Sequence, residues 1–226
     1  MFLKRNTTLN HSILIIVFTS YLLGSIPFGY LLVRVFRGLD VREAGSGNIG
    51  ATNVARTGSK GLAVATLVLD ALKGWVAVAH VFHMAAHHPD HLPQLGAHTV
   101  YVLAALAALF AIIGHMFPVW LRFKGGKGVA TSVGAFLGIA PLAVLVSLAV
   151  FVIVVALTRY VSLGSMLAAA IFPPAAWWLK PQTRSAAVAL LITASSLLII
   201  LRHRDNIRRL VAGNENRLGG GKTGGG

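Results

Sequence analysis

Six long apolar runs, separated by short polar and basic segments, constrain the fold of this chain more than any other feature of its sequence. Several of these runs approach the roughly 20 residues that an α-helix needs to cross a bilayer, and the fourth is too long for one crossing. Of the 226 residues, 56% are hydrophobic and only 12% are charged, which is too little polar surface for a soluble domain of this length. We therefore predict one all-α integral membrane domain over residues 1–226. The apolar runs lie near residues 12–36, 61–84, 98–118, 130–157, 161–179 and 184–201.

Basic residues indicate which segments lie on which side of the membrane. The region from Arg34 to Lys60 carries five Lys or Arg residues, whereas the loop near 85–97 carries none. Because cytoplasmic segments are enriched in Lys and Arg, we predict that the first region is cytoplasmic and the loop external. The segment 120–128 and the tail 202–226 are also basic and are predicted to be cytoplasmic. This orientation places the N-terminus outside.

The number of crossings must be even between the last two cytoplasmic segments, yet three apolar runs lie between them. One run therefore has to contain two helices. The run 130–157 is interrupted by Gly134, Gly138 and Pro141, which are residues that weaken or end helices. A broken helix within a bilayer must be buried in protein or line a polar cavity, so we expect a cavity beside this break. We predict seven transmembrane helices, one short or broken, near 12–36, 61–84, 98–118, 130–138, 141–157, 161–179 and 184–201.

Composition also bears on partners and cofactors. The formal net charge is +14, but the basic residues flank apolar runs, where they set orientation and attract anionic lipid or substrate, so we predict no nucleic-acid partner. The absence of cysteine excludes thiolate nucleophiles and Cys-based zinc sites. His80 and His83 have a spacing compatible with metal ligands, and His87, His88 and His91 follow, but no carboxylate cluster accompanies them. We predict no metal and no cofactor.

Three segments carry residues suited to binding anions. The first, GSGNIGATNVARTGSKG at 45–61, combines glycines that let backbone N–H groups approach an oxyanion with polar side chains and the guanidinium of Arg56. The second, GHMFPVWLRFKGGKGVATS at 114–132, places Lys124 and Lys127 just before an apolar helix, whose first N–H groups and dipole favour anions. It is not a Walker A loop, because no Ser or Thr directly follows its Gly-Lys pair.

The third segment, RHRDNIRRLVAGNENRLG at 202–219, begins where the last apolar run ends. On a continuing helix, His203, Asn206 and Arg209 share one face. Taken alone, each segment is compatible with a plainer interpretation, either a turn-rich loop or a basic tail that binds lipid headgroups. All three are predicted on one face of the membrane, which favours a single composite phosphate-binding site.

Asp70 and Lys73 lie inside the second apolar run. Ionisable residues at such positions are costly and usually face the bundle interior or each other. We favour an internal ion pair over a proton or substrate contact.

The strings SGNIGATNVAR (46–56), GHMFPVWLRFKGGKGVAT (114–131) and HRDNIRRLVAGNE (203–215) resemble the three signature segments of the bacterial acyl-phosphate-dependent glycerol-3-phosphate acyltransferases, the PlsY family. The resemblance implies a seven-helix enzyme of the bacterial inner membrane with its active site on the cytoplasmic face. It implies transfer of a fatty acyl group from acyl phosphate to the sn-1 hydroxyl of glycerol 3-phosphate, giving lysophosphatidic acid and phosphate in phospholipid biosynthesis. It also implies membrane lipid as a partner and a functional link to an enzyme that produces acyl phosphate.

The resemblance assigns residue roles by motif position. It implies catalytic roles for Ser46, Arg56, Lys127, His203 and Asn206. It implies substrate-binding roles for Gly47, Asn48, Thr52, Asn53, His115, Lys124, Gly125, Gly126, Gly128, Thr131, Arg209 and Glu215, with Gly125 and Gly126 near the acyl-phosphate group. The family pattern usually has Lys close after the Glu, whereas this chain reads Glu215-Asn216-Arg217, so the roles of Arg217 and of the Gly-rich end stay open.

An acyl phosphate is a mixed anhydride with a good leaving group, so direct attack by a hydroxyl needs no covalent acyl-enzyme. His203 is one candidate for the general base, and the substrate's own phosphate is the other. Thioester-dependent glycerolipid acyltransferases carry His and Asp separated by four residues, and none of the nine His residues here has Asp at that offset. Two alternatives are a transporter of a phosphorylated small molecule, since broken helices at an anion site also characterise transporters, and a non-catalytic lipid-binding module.

Overall fold

The computed structural model describes residues 2–87 and 97–219, which form ten α-helices and no strand. The helices are α1 (Phe2–Ser25), α2 (Phe28–Arg37), α3 (Ala51–Arg56), α4 (Lys60–His87), α5 (Ala97–Met116), α6 (Val129–Ile139), α7 (Pro141–Thr158), α8 (Val161–Leu179), α9 (Ala186–Arg202) and α10 (Arg204–Val211). Of the features noted in the sequence, His88, His91 and the Gly-rich end from residue 220 lie outside the described residues.

Several of these helices have the length and composition of membrane spans. Five segments of the described chain can cross a bilayer, and a sixth is added when α9 and α10, which are bent by 53° relative to each other, are taken together. α6 has 11 residues and is about 16 Å long, half of the roughly 30 Å hydrocarbon core. The chain is an all-helical membrane protein, as predicted, and α6 is a short apolar helix within it. The number and direction of its crossings stay predictions.

The short helix ends where the sequence predicted a break. α6 stops at Ile139, Ala140 adopts a non-helical conformation, and Pro141 begins α7. Proline suits the first position of a helix, because its missing N–H has no partner there and its φ angle is already helical. A cavity lies beside α6 and is lined by Val129, Val133 and Phe136.

The first apolar run, predicted as one span over 12–36, is also interrupted. α1 ends at Ser25 and α2 begins at Phe28. Pro27 cannot donate a backbone hydrogen bond, so the helix cannot continue through it unchanged.

A buried ion pair stabilises this interruption. Lys73 Nζ donates to the carbonyl oxygen of Ile26 at 2.7 Å and lies 2.8 Å from Asp70 Oδ1. Both charged side chains are almost fully buried. The predicted internal ion pair is confirmed, and it satisfies a backbone carbonyl that lipid could not.

Glycines allow α4 and α6 to pack backbone against backbone. Gly74 on α4 faces the carbonyl of Thr131, and a Cβ there would collide with it. Gly134 on α6 faces the carbonyl of Ala71 in the same way. Small residues at helix crossings are the usual means of close packing within lipid. This contact holds α6, and with it the loop that precedes α6.

Helix α5 occupies the centre of the bundle. It contacts α1, α4, α6 and α9. Its small side chains Ala104, Ala107, Ala108 and Ala111 are fully buried. Because α5 is enclosed, its C-terminal end and the loop that follows it are held firmly beside α6.

Candidate active site

A cavity of about 440 Å³ lies where the three predicted anion-binding segments converge. The five residues with implied catalytic roles all line it: Ser46, Arg56, Lys127, His203 and Asn206. Seven residues with implied substrate-binding roles line it as well: Asn48, Thr52, Asn53, His115, Gly128, Arg209 and Glu215. The structure thus brings together segments that are far apart in the chain.

Asn53 organises the first segment. Its side chain is buried, and its Nδ2 donates to the carbonyls of Val41 and Asn48 at 2.8 and 2.7 Å. Its Oδ1 accepts a hydrogen bond from the backbone N–H of Ser46 at 2.8 Å and lies 3.2 Å from the Ser46 hydroxyl. Asn53 was expected to bind substrate, but these contacts occupy its amide group. It therefore positions Ser46.

The accessible polar groups of this segment come from Ser46 and from α3. Thr52 and Arg56, on the six-residue helix α3, line the cavity and are exposed, as is Ser46. Gly47 does not line the cavity. Its φ of 68° is a left-handed conformation that favours glycine, so it serves the turn that presents Ser46.

Lys127 enters the cavity just before α6. Gly128 precedes the helix with a φ of 81°, which also favours glycine. Lys127 Nζ donates to Asn206 Oδ1 at 2.5 Å. Burial lowers the pKa of Lys127 to about 8, so the side chain is mostly protonated at neutral pH. A partly buried ammonium group held by a neutral amide is well suited to binding an anion.

Gly125 and Gly126 were expected beside the acyl-phosphate group, but they do not line the cavity. Their N–H groups donate to the carbonyls of Met116 and His115 at 3.1 and 3.0 Å. Their carbonyl oxygens accept hydrogen bonds from Arg202 at 3.1 and 3.2 Å. A side chain on Gly126 would collide with the imidazole of His115. The two glycines allow close packing of this loop and have no N–H left for an anion.

Two further residues of the second segment lie away from the cavity. Lys124 is exposed on the surface and is not a cavity residue. Thr131 is fully buried against α4, where its carbonyl meets Gly74. Both were expected to bind substrate; neither lines the cavity, and their roles stay predictions.

The chain bends at His203, between α9 and α10, which brings both His203 and Asn206 to the cavity. His203 is buried, and its Nδ1 lies 2.8 Å from the carbonyl oxygen of Ile199, to which it donates when neutral. Burial lowers the pKa of His203 to about 4, so the imidazole is neutral at pH 7.

Glu215 connects the tail to the cavity wall. Its carboxylate accepts hydrogen bonds from Asn206 Nδ2 at 2.6 Å, Arg209 Nε at 2.7 Å and Ser162 Oγ at 2.9 Å. Burial opposes its ionisation, but the hydrogen bonds from Asn206, Arg209 and Ser162 outweigh burial and keep its pKa below the usual value. Glu215 was expected to bind substrate. It lines the cavity, and its hydrogen bond orients Asn206, which in turn holds Lys127, while a role in binding substrate stays a prediction.

His115 lies at the buried base of the cavity, 4% exposed. Its Nδ1 is 3.5 Å from Asp70 Oδ1, so the ion pair of Asp70 and Lys73 adjoins the cavity. His115 therefore packs between this ion pair and the loop at Gly126.

Nothing in the sequence indicated that Ser162 belongs to the site, and the role of Arg217 stayed open. Ser162 lies in the first turn of an apolar helix and belongs to no motif, so only its contact with Glu215 reveals it. Arg217 lines the cavity, and its guanidinium group lies over the ring of Tyr160, 5.3 Å from the ring centroid. Arg159 holds the neighbouring backbone, because its carbonyl accepts from the N–H of Leu218 at 2.7 Å.

The cavity carries more positive than negative charge. Arg56, Lys127, Arg209 and Arg217 line it, and of the two lining carboxylates, Glu215 is held by Arg209 and Asp70 by Lys73. Within residues 2–87 and 97–219, no three His, Cys, Asp or Glu side chains converge as metal ligands would. Fold and cavity together define a class: an integral membrane protein with a cationic cavity suited to small phosphorylated molecules.

The family model for glycerol-3-phosphate acyltransferase matches residues 14–213. This match covers most of the chain, so the chain belongs to the glycerol-3-phosphate acyltransferase family. Its members are acyltransferases, and the alternative of a transporter is accordingly not favoured.

Individual relatives agree with this assignment. The glycerol-3-phosphate acyltransferase of Agrobacterium fabrum is 47% identical over 199 residues, 88% of each chain. That of Mesorhizobium japonicum is 48% identical over 207 residues, 92% of this chain and 96% of its own. The crystal structure of PlsY, an integral membrane glycerol 3-phosphate acyltransferase, in its glycerol 3-phosphate form has a TM-score of 0.80 and 36% identity and covers 92% of this chain and 96% of its own. Its lysophosphatidic acid form has a TM-score of 0.78.

Proposed function

We propose that this protein transfers a fatty acyl group from acyl phosphate to the sn-1 hydroxyl of glycerol 3-phosphate, releasing lysophosphatidic acid and phosphate. The observation that carries the proposal is the cationic cavity itself, which joins an apolar groove between the helices at Leu67, Val129, Ala130, Phe151 and Ser165. A polar compartment next to an apolar one accommodates a reaction between a water-soluble phosphate ester and a lipid-like donor. The glycerol 3-phosphate and lysophosphatidic acid forms of PlsY support the same substrate and product classes.

In this proposal Arg56 and Lys127 bind the anionic phosphate groups, and Ser46 contributes a hydroxyl beside them. Holding the two reactants in the correct geometry can supply about 7–11 kcal/mol of the barrier. Donors placed around the carbonyl oxygen and the departing phosphate supply several kcal/mol more. Asn206 acts by fixing Lys127, at 2.5 Å, and Glu215 acts by fixing Asn206.

The proton of the attacking hydroxyl has two candidate acceptors, and the structure favours the substrate phosphate over His203. The pKa of His203 is lowered to about 4 by burial, which makes its imidazole a weak base. The second pKa of a phosphate monoester is near 6, so that phosphate is the stronger base. We infer that His203 remains neutral and acts as a hydrogen-bonding group in the cavity wall.

The proposal also places the protein in the bacterial inner membrane, with seven crossings, the N-terminus outside and the cavity on the cytoplasmic face. The Lys and Arg bias of the connecting segments supports this orientation. Because the chain contains no cysteine, a single introduced thiol reports only its own position. A membrane-impermeant maleimide is expected to label His87→Cys in intact spheroplasts and Lys60→Cys only after permeabilisation. The reverse pattern would invert the orientation.

Donor specificity tests the proposed reaction. Purified protein in bilayers is expected to make lysophosphatidic acid from glycerol 3-phosphate and acyl phosphate, but not from acyl-CoA or acyl carrier protein. Arg56→Ala is expected to abolish turnover. The matched control is Arg204→Ala, because Arg204 is an exposed arginine outside the cavity. Transfer from acyl-CoA alone, or equal activity of the two variants, would reject the proposal. An acyl-phosphate donor also implies a functional link to an enzyme that produces it.

A further inference from the structure

A second cavity, of about 450 Å³, extends from the cationic cavity into the bundle. It is lined mostly by apolar side chains from α4, α6, α7, α8 and α9. Five residues line both cavities and mark the mouth of this groove: Leu67, Val129, Ala130, Phe151 and Ser165.

The depth of the groove follows from helix geometry. On each of three helices, the lining residue farthest from the mouth is seven positions along the chain from a mouth residue. These pairs are Val129 and Phe136 on α6, Phe151 and Val144 on α7, and Ser165 and Phe172 on α8. Seven residues correspond to about 10 Å at 1.5 Å per residue. The three helices therefore end the groove at the same depth.

An aromatic pair closes this deep end. The rings of Phe136 and Phe172 are stacked with centroids 4.1 Å apart, and the side chains are 4% and 3% exposed. The chain between Phe136 and Val144 does not line the groove, and it contributes three more buried residues: Ile139, Ala140 and Ala143. The short α6 ends at Ile139, three residues beyond Phe136, and Pro141 begins α7.

We propose that Phe136 and Phe172 form the floor of the acyl-binding groove and set the longest acyl chain that the enzyme accepts. The proposal rests on the acyl-phosphate-dependent function put forward above. Up to the floor, each additional methylene is buried and contributes about fourfold in binding. Beyond the floor, a longer chain must displace a packed aromatic ring, which well-packed interiors resist.

The groove also has an open side, which provides a rival route for the chain end. Leu67 and Val68 on α4 are 51% and 56% exposed, and Leu148 on α7 is 37% exposed. A chain that left between these helices would continue into lipid and would never meet the ring pair. The length of such an acyl chain would then not be limited by Phe136 and Phe172.

Two substitutions move the floor in opposite directions. Phe172→Ala removes one ring and deepens the groove. Ala169→Phe adds a ring about one helical turn nearer the mouth, since Ala169 lines the groove three positions before Phe172. The matched control is Phe82→Ala, which removes a ring stacked edge-on against Tyr101 at 5.4 Å and outside the groove.

The experiment compares kcat/KM for acyl phosphates of increasing chain length in the three variants and the unmodified enzyme. We expect Phe172→Ala to gain about fourfold per methylene for donors beyond the original limit. Ala169→Phe is expected to shift the limit to shorter donors, and Phe82→Ala to leave it in place. An unchanged length profile in both groove variants would overturn the proposal and favour the lateral route. An equal shift in Phe82→Ala would overturn it as well.

A second measurement does not depend on turnover. Protection of the purified protein against heat by lysophosphatidic acids of increasing chain length is expected to reach the same limit and to shift in the same variants. Should the unmodified protein fail to use any acyl phosphate, the proposed reaction is rejected, and this series alone decides whether the ring pair limits chain length.

Discussion

Lys127 is subject to two opposing influences, because the cavity buries its ammonium group while nearby Glu215 favours the charge. Burial is the stronger and lowers the pKa of Lys127 to about 8. The charge is therefore present at pH 7 and is lost as the pH rises through about 8. The kcat/KM for glycerol 3-phosphate reports ionisations of the free enzyme, so it is expected to fall about tenfold per pH unit above that value.

Replacing Lys127 by arginine tests this assignment, because arginine stays protonated throughout the accessible range. The alkaline limb of the pH profile is expected to disappear in Lys127→Arg even though the planar guanidinium lowers the overall rate. Lys124→Arg is the control, because Lys124 is exposed outside the cavity. An alkaline limb that persists near pH 8 in Lys127→Arg would assign the ionisation to another group.

Glu215 affects the cavity through the residues that it holds. Glu215→Gln removes the charge that accepts from Asn206 and Arg209. Hydrogen bonds to charged groups contribute about 1.5–3 kcal/mol, so we expect kcat/KM to fall by about 10- to 100-fold. Steady-state kinetics of the purified enzyme measure this. Glu43→Gln changes an exposed carboxylate outside the cavity and is expected to have little effect, and equal kinetics in the two variants would contradict the role of Glu215.

At the level of elements, the position of the Lys127 loop depends on how closely α6 packs against α4. Gly134→Ala places a Cβ against the carbonyl of Ala71. Overpacking of this kind costs about 1–3 kcal/mol, and it displaces the helix that begins just after Lys127. We expect a lower thermal unfolding midpoint in detergent together with reduced kcat/KM.

Gly61→Ala is the matched control for this substitution. A Cβ at Gly61 meets nothing within 4 Å, and alanine is the better helix former. Its unfolding midpoint is expected to stay the same or to rise slightly. If Gly61→Ala lost as much stability as Gly134→Ala, the close packing of α4 against α6 could not be the reason for the loss in Gly134→Ala.

At the level of the whole molecule, the ion pair of Asp70 and Lys73 connects α4, the break after α1 and the base of the cavity. Lys73→Met leaves a buried carboxylate without its partner, which costs about 3–5 kcal/mol. We expect a clear drop in the thermal unfolding midpoint and partial recovery in Asp70→Asn/Lys73→Met. Lys60→Met, at an exposed lysine, is the control. A double variant no more stable than Lys73→Met would show that charge imbalance is not the cause.

Much of the architecture could be predicted from the sequence, because hydropathy and charge accumulate along a continuous stretch of chain. The membrane class, the short helix before Pro141 and the three anion-binding segments all depend on neighbouring residues. The resemblance to the glycerol-3-phosphate acyltransferases rests on the same local strings. Pro27 could have predicted the interruption between α1 and α2, but the long apolar run around it favoured a single helix.

Other features were decided only by the tertiary structure. Sequence alone could not distinguish glycines that face an anion from Gly125 and Gly126, whose N–H groups are already bonded within their own loop. It could not show that Asn53 and Glu215 orient other side chains, or that Phe136 meets Phe172 at the end of a groove. The physical reason is that a hydrogen-bonding group serves either the fold or a ligand. Which of the two it serves is set by partners that come close only after the helices have packed.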